Sequence, residues 1–396
     1  MKPDRIRPVA LLSALVFGLA LHTAWGQPAA PAAANTGAAC APGATEGDCG
    51  PWHFAGKLLP APFPLPAKAK DYLRIGANHD AAMIGVNMRW QWQSAQSGAG
   101  NPLMRCTAST RECQTAKIFA SSEVAHVQAE HQGVWTAEIE QYAADNLDSR
   151  WSTFASSADQ GTTWSPVPLP VSCTGPVSCS LHPESGTHYF LLASTYHQDA
   201  KPDFTTQVLE TQDGGKSWVD ALPHTRLNVG QSLVHVAGRT IIYVEGEHPA
   251  LIHAIVLPYA PERDSVVATL PPDGRILQSI QDDGRTGYLL HVPDNETEPG
   301  TLFAVKRDAI SAIRKQPGLI ARFRATPGLL LIDTVDKTDI AKSAADFRHT
   351  LHTSTDHGAT WRDYVLPDAL SNSVYTVVGG RIWLATPTAV YYLDPN

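Results

Sequence analysis

Apolar and polar residues alternate along much of this chain with a period of two. The clearest stretches are Thr240–Glu245 (Thr-Ile-Ile-Tyr-Val-Glu), 188–193, 328–334, 375–384 and Ala389–Leu393, all rich in β-branched and aromatic residues. Alternation of that kind predicts strands with one buried face. Helical periodicity is scarce: 306–315 and 339–347 are the two stretches that suggest a short helix in an inter-strand loop. One unbroken apolar run, residues 9–21, stands apart from the alternating body.

A slower rhythm overlies the strands. Units close on an apolar residue or Gln followed by Pro: Leu59-Pro60, Leu169-Pro170, Leu222-Pro223, Leu270-Pro271, Gln316-Pro317 and Leu366-Pro367. The steps between these prolines are 110, 53, 48, 46 and 50 residues, the first being about two of the others. Counted from residue 68, this gives six full units and a short seventh, 368–396. The short unit lacks strands, and residues 52–59 are placed to supply one.

A second repeat fixes what the units are. Ser157-Ala-Asp159-Gln-Gly161-Thr-Thr163-Trp164, Thr211-Gln-Asp213-Gly-Gly215-Lys-Ser217-Trp218 and Ser354-Thr-Asp356-His-Gly358-Ala-Thr360-Trp361 share the pattern Ser/Thr-x-Asp-x-Gly-x-Ser/Thr-Trp. Asp accepts bonds from backbone N–H groups just ahead of it, Gly takes a positive-φ position, and Trp buries surface at the start of the next strand. A calcium loop is the other reading of Asp-x-Gly, but such a loop needs several alternating oxygen ligands and a late Glu, and none follows here. A worn fourth copy is suggested at Asp282-Asp-Gly284-Arg-Thr286, with Gly287 in place of Trp. Repeated units of about 50 residues predict an all-β β-propeller of four-stranded blades. Seven blades are favoured, with six the alternative, and closure by the two termini would remove exposed sheet edges.

The octapeptide resembles the Asp-box of sialidases and related Asp-box (BNR-repeat) β-propellers. The resemblance implies that the boxes join the third and fourth strands of a blade, far from the axis, as scaffold. It further implies an arginine cluster for a sugar carboxylate, an acid/base Asp, a Glu and a nucleophilic Tyr. The family's Phe/Tyr-Arg-Ile-Pro motif is matched in part by Tyr72-Leu73-Arg74-Ile75-Gly76, which makes Arg74 the first candidate arginine. Arg89 ends the strand that follows. The next loop, 90–102, should carry the acid but contains neither Asp nor Glu; Asp80 lies before the strand. Trp90 and Trp92 share one face of an extended chain and are candidates to stack on a sugar or to fill core. Glu247, with Glu245 beside it, Tyr375, and Arg226, Arg239 and Arg324 are further candidates by order along the chain. These readings favour a binding or assembly module for a glycan or a protein. The alternative is an exo-α-sialidase-type hydrolase with an atypical acid/base residue, and a third reading is a factor that helps build membrane complexes.

The remaining features concern location and partners. Lys2, Arg5 and Arg7, the apolar run and Ala24-Trp25-Gly26 read as a signal peptide over 1–26, too short for a stable membrane span. Residues 27–50, rich in Ala, Pro and Gly, read as a flexible leader, and 51–396 as one propeller domain. The expected location is periplasmic or extracellular. Removing 1–26 moves the formal net charge from −8 to about −10, which argues against a nucleic-acid partner. Six cysteines fall in close pairs, Cys40/Cys49, Cys106/Cys113 and Cys173/Cys179, and an exported chain with an even count predicts disulfides. Each pair brackets turn residues, so neighbour pairing is favoured, and Cys106–Cys113 occupies the place of a missing box. There is no zinc spacing and no serine nucleophile elbow, and neither metal nor cofactor is expected. Asn295-Glu-Thr297 has the form of a glycosylation sequon. A monomer is expected.

Overall fold

The computed structural model describes residues 48–58, 73–86, 100–120, 123–131, 133–142, 150–197, 204–222, 234–236, 240–245, 251–256, 265–269, 275–282, 286–295, 298–306, 309–326, 328–335, 348–367, 370, 373–378 and 380–395. Between 234 and 282 the backbone alone is described. The signal-like segment, the leader up to residue 47, Cys40 and the helix suggested at 339–347 lie outside these residues.

The described strands form antiparallel sheets, and in five of the seven chain order is spatial order. Six sheets are four-stranded blades and one has five strands. In chain order they run from Leu73–Ala77 to Glu112–Phe119, Glu123–His131 to Cys173–Thr174, Val177–Ser185 to Val219–Asp220, Val234–Val236 to Ser265–Thr269, Arg275–Asp282 to Ala309–Gln316, and Leu319–Thr326 to Arg362–Val365. The closing sheet joins Val374–Val378, Arg381–Ala385 and Ala389–Leu393 to the N-terminal strand His53–Lys57, which pairs along Ala389–Leu393. In the second sheet the outer position is shared: Ser165–Val167 and Cys173–Thr174 pair with different parts of Arg150–Ser157. First strands of successive sheets lie side by side: Leu73–Ala77 with Glu123–His131 and with Val374–Val378, and Leu319–Thr326 with Arg275–Asp282 and with Val374–Val378. That is the arrangement of a propeller, with first strands innermost.

Each proline of the slow rhythm follows an outer strand. Pro317 comes directly after Ala309–Gln316, and Pro170, Pro223, Pro271 and Pro367 follow within a few residues of Val167, Asp220, Thr269 and Val365. A residue without a backbone N–H cannot donate to a ladder, which suits a position just past the end of an outer strand.

The three octapeptides each connect the third strand of a sheet to its outer strand, and one set of bonds recurs. Asp159, Asp213 and Asp356 accept through Oδ1 from the backbone N–H of Thr163, Ser217 and Thr360 at 2.8–2.9 Å. Through Oδ2 they accept from the hydroxyls of the same residues at 2.6 Å. The opening Ser157, Thr211 or Ser354 hydroxyl donates to the Asp and accepts from the glycine N–H. The Trp164, Trp218 and Trp361 Nε1–H donates to the carbonyl of Gly161, Gly215 or Gly358 at 2.9–3.0 Å. Every specified position of the pattern therefore has a bond or a conformation to supply.

The octapeptides also staple neighbouring sheets. Trp164 packs with Met83 and Leu103 of the first sheet, and Trp218 with Phe154 and Val167 of the second. Trp361 packs with Tyr288 and Leu302 of the fifth, where the Arg314 guanidinium lies 4.2 Å over its ring. Gly215 has φ +92°, and a Cβ there would lie 2.7 Å from the Pro168 carbonyl oxygen. The glycine is required by close approach as well as by dihedral angle.

In the first sheet the same connection is closed by Cys106–Cys113, whose residues are cross-strand partners. Cys106 is buried with Ala55, Trp383 and Val390 of the closing sheet, so the disulfide also occupies the stapling position. Cys173–Cys179 ties the second sheet to the first strand of the third. Cys49 is disulfide-bonded, and its expected partner Cys40 is outside the described residues.

Three expectations are corrected. Residues 306–315 form no helix: Gly300–Lys306 and Ala309–Gln316 are paired strands, and ladder pairing overrides a composition of Ala, Lys and Arg. The stretch 375–384 is two strands around Gly380, which has φ +79°. The worn copy at Asp282 is not a box, because Asp282 pairs with Thr286 in the connection between first and second strands. Among the described residues no helix is long and apolar enough to cross a membrane.

Candidate functional site

In a propeller the first strands face the axis, where ligand sites form. Arg74 lies on the first strand of the first sheet, half-buried, with Nη1 donating to its own neighbour Leu73 O at 3.0 Å. Arg322 and Arg324 lie two apart on the first strand of the sixth sheet, so they share a face. Burial holds the Arg324 guanidinium below the ordinary arginine value, with Arg322 adding to the effect and Tyr375 opposing it. Nη1 of Arg324 donates to Phe323 O at 3.2 Å. Tyr375 is on the first strand of the closing sheet, between the strands that carry the arginines. The fold thus brings Arg74, Arg322, Arg324 and Tyr375 onto three adjacent innermost strands.

Tyr375 is 7% exposed, and its ring packs with Leu331, Leu384 and Tyr391. Its hydroxyl donates to Asp333 Oδ2 at 2.8 Å, across the seam between the closing and sixth sheets. Asp333 also receives His349 Nδ1 at 2.9 Å and 3.0 Å through its two oxygens. The Arg322 guanidinium lies 5.2 Å from the centre of the Tyr375 ring. Burial, and then the negative charge of Asp333, raise the Tyr375 phenol well above its ordinary value. A phenol so placed keeps its proton and rigidifies the seam. As a nucleophile it would need both a route for substrate and a strong base.

Arg322, Asp333 and His349 were not singled out in the sequence. A signal for Asp333 was present: it is a charged residue inside the run Leu329-Leu-Leu-Ile-Asp333, which is buried throughout. Asp80 sits in the connection between the first two strands of the first sheet, exposed beside His79 at 3.2 Å. Glu245 ends a second strand of the fourth sheet. Arg89, Trp90, Trp92, Arg226, Arg239 and Glu247 fall outside the described residues. Among the described residues no cluster of His, Cys, Asp and Glu is arranged to hold a metal ion.

No protein-family model matches the chain, and no curated protein does. Among solved structures it is similar to a GH74 enzyme of Niastella koreensis, at 10% identity and TM-score 0.44 over 86% of this chain and 52% of that one. It is also similar to a Hadza microbial sialidase, at 10% identity and TM-score 0.40 over 75% and 73%. A third is an ulvan polysaccharide lyase, at 10% identity and TM-score 0.45 over 86% and 94%. The chain spans about half the length of the Niastella enzyme. The all-β, β-propeller arrangement of four-stranded blades rests on the sheet topology rather than on these likenesses.

Proposed function

We propose that the protein is an exported, sialidase-like Asp-box propeller that holds a glycan or protein ligand without cleaving it. Counting the five-stranded sheet as a blade with a divided outer strand favours a seven-bladed ring. The Asp-box assignment is supported by the identical bonding of the three octapeptides. Export is supported by the signal-like residues 1–26 and by the disulfides. The ligand is expected to be anionic, because Arg74, Arg322 and Arg324 stand on the two innermost strands that flank the strand of Tyr375. Arg89, Trp90, Trp92 and Glu247 remain candidate ligand contacts. The reading needs no cofactor or nucleic acid, and describes a monomer.

The observation that carries binding over hydrolysis is the burial of Tyr375 against Asp333. The same hydrogen bond favours the second reading, in which Asp333 would take the phenol proton and an atypical sialidase would result. Burial supports the first, since a side chain packed among Leu331, Leu384 and Tyr391 is closed to a sugar. The test is a glycan array probed with the chain from residue 27 onward and with its Arg74→Ala and Arg324→Ala variants. Signal confined to carboxylated or sulfated glycans and lost in the variants is the expected result. Equal signal on neutral glycans, or none on any, would refute the anionic-glycan reading.

A further inference from the structure

We propose that Ser180 and His182 form a nucleophile–base dyad that cleaves activated carboxylic esters. Both lie on Val177–Ser185, the first strand of the third sheet, which runs beside the first strand of the second. On an extended strand residues two apart share a face. Ser180 Oγ and His182 Nε2 are 2.8 Å apart, within the range of a serine activated by a general base. The intervening and preceding residues hold the strand in place: Leu181 is buried in the core between the second and third sheets, and Cys179 is bonded to Cys173. A register shift between Pro183 and Ser185 follows directly, a feature common beside reactive sites. His182 is exposed and Ser180 half-buried, so a small ester reaches the pair from solvent.

The reaction uses neutral His182 with its proton on Nδ1 and its Nε2 lone pair facing the hydroxyl. Ser180 Oγ forms a bond to the ester carbonyl carbon while its proton passes to Nε2. Collapse of the tetrahedral intermediate breaks the bond to the leaving oxygen, which departs as the alcohol or phenol, protonated from Nε2 where its basicity requires. Water then adds to the acyl-serine by the reverse transfers, releasing the carboxylic acid and restoring Ser180. No oxidant or metal enters the balance. Nucleophile and base are what the strand supplies, so the substrates are esters with good leaving groups, such as aryl esters, rather than amides.

The experiment treats the folded protein with 4-nitrophenyl acetate and, separately, with a fluorophosphonate, followed by peptide mass spectrometry. The expected result is phosphonylation at Ser180 and nitrophenol release about ten-fold above buffer, abolished in Ser180→Ala and strongly reduced in His182→Gln. Circular dichroism of both variants separates loss of the dyad from loss of fold, and the phosphonylation result needs no variant. Absence of label at Ser180 overturns the proposal. So does nitrophenol release that persists in folded Ser180→Ala, since the acyl group would then be passing to surface lysines or histidines.

Discussion

The Tyr375 hydroxyl and the Asp333 carboxylate meet at 2.8 Å across the seam between the sixth and closing sheets. The bond joins a C-terminal strand to an earlier blade beside the point where the ring is sealed by the N-terminal strand. Tyr375→Phe leaves the ring in place and removes one donor from a buried carboxylate. A loss of about 1.5–3 kcal/mol is expected, the range for a hydrogen bond to a charged group. Urea unfolding of the two proteins measures it, and an unchanged midpoint would show that the bond contributes nothing to the seam.

The aspartates of the octapeptides give stability a sign with pH. Bonds from the Thr163 side chain and backbone, then from Ser157, lower Asp159 from 3.8 to about 2. Those from Ser217 and Thr211 lower Asp213 likewise to about 2. For Asp356 burial acts upward, and the bonds from Thr360 and Ser354 outweigh it, so the net shift is also downward. A carboxylate with a depressed folded value stabilises above its unfolded value and ceases to do so as pH falls through the folded one. Stability should therefore drop between about pH 4 and pH 2. Thermal melts across that window should show a shallower fall in Asp159→Asn, while melts that run parallel to wild type would contradict the assignment.

Cys106–Cys113 does in the first sheet what an Asp–Trp pair does elsewhere, and its loss should be felt at the same place. The pair spans seven residues, a short loop, so removing it is expected to cost about 2–3 kcal/mol on the chain-entropy account. Cys106→Ser/Cys113→Ser measured by calorimetry tests this. Protection from hydrogen exchange should fall first in His53–Lys57, which packs on Cys113 through Gly56.

The fold was legible because it rests on local chemistry: alternation in strands, prolines after outer strands, and octapeptides whose pattern-defining Ser/Thr, Asp and Trp side chains bond within the same turn. The stapling of neighbouring sheets was not legible. Met83 under Gly161 and Pro168 behind Gly215 come from other blades, and no spacing announces them. The candidate site was legible only in part. Arg74 and Tyr375 could be placed by order along the chain, whereas Arg322, Asp333 and His349 sit on three strands that only the folded sixth sheet brings together. The stretch 306–315 is a strand pair rather than a helix for the same reason, since composition is local and an outer-strand pairing is not.

Gly215→Ala should separate the two reasons for glycine in the octapeptide. A positive φ alone costs of order 1 kcal/mol for alanine, and contact with a backbone carbonyl raises the penalty to about 2–3 kcal/mol. Gly380 has a positive φ but open space around its Cβ position. Gly380→Ala should thus cost clearly less in the same denaturant titration. Equal costs would mean that the close approach to Pro168 is not limiting.

The most direct test of binding without cleavage is release of fluorophore from a fluorogenic sialoside, followed from pH 4 to pH 8 with wild type, Arg74→Ala and Tyr375→Phe. The account predicts no release above buffer in any of the three. Turnover by wild type that disappears in both variants would contradict it, and would make Tyr375 and Asp333 a nucleophile and its base.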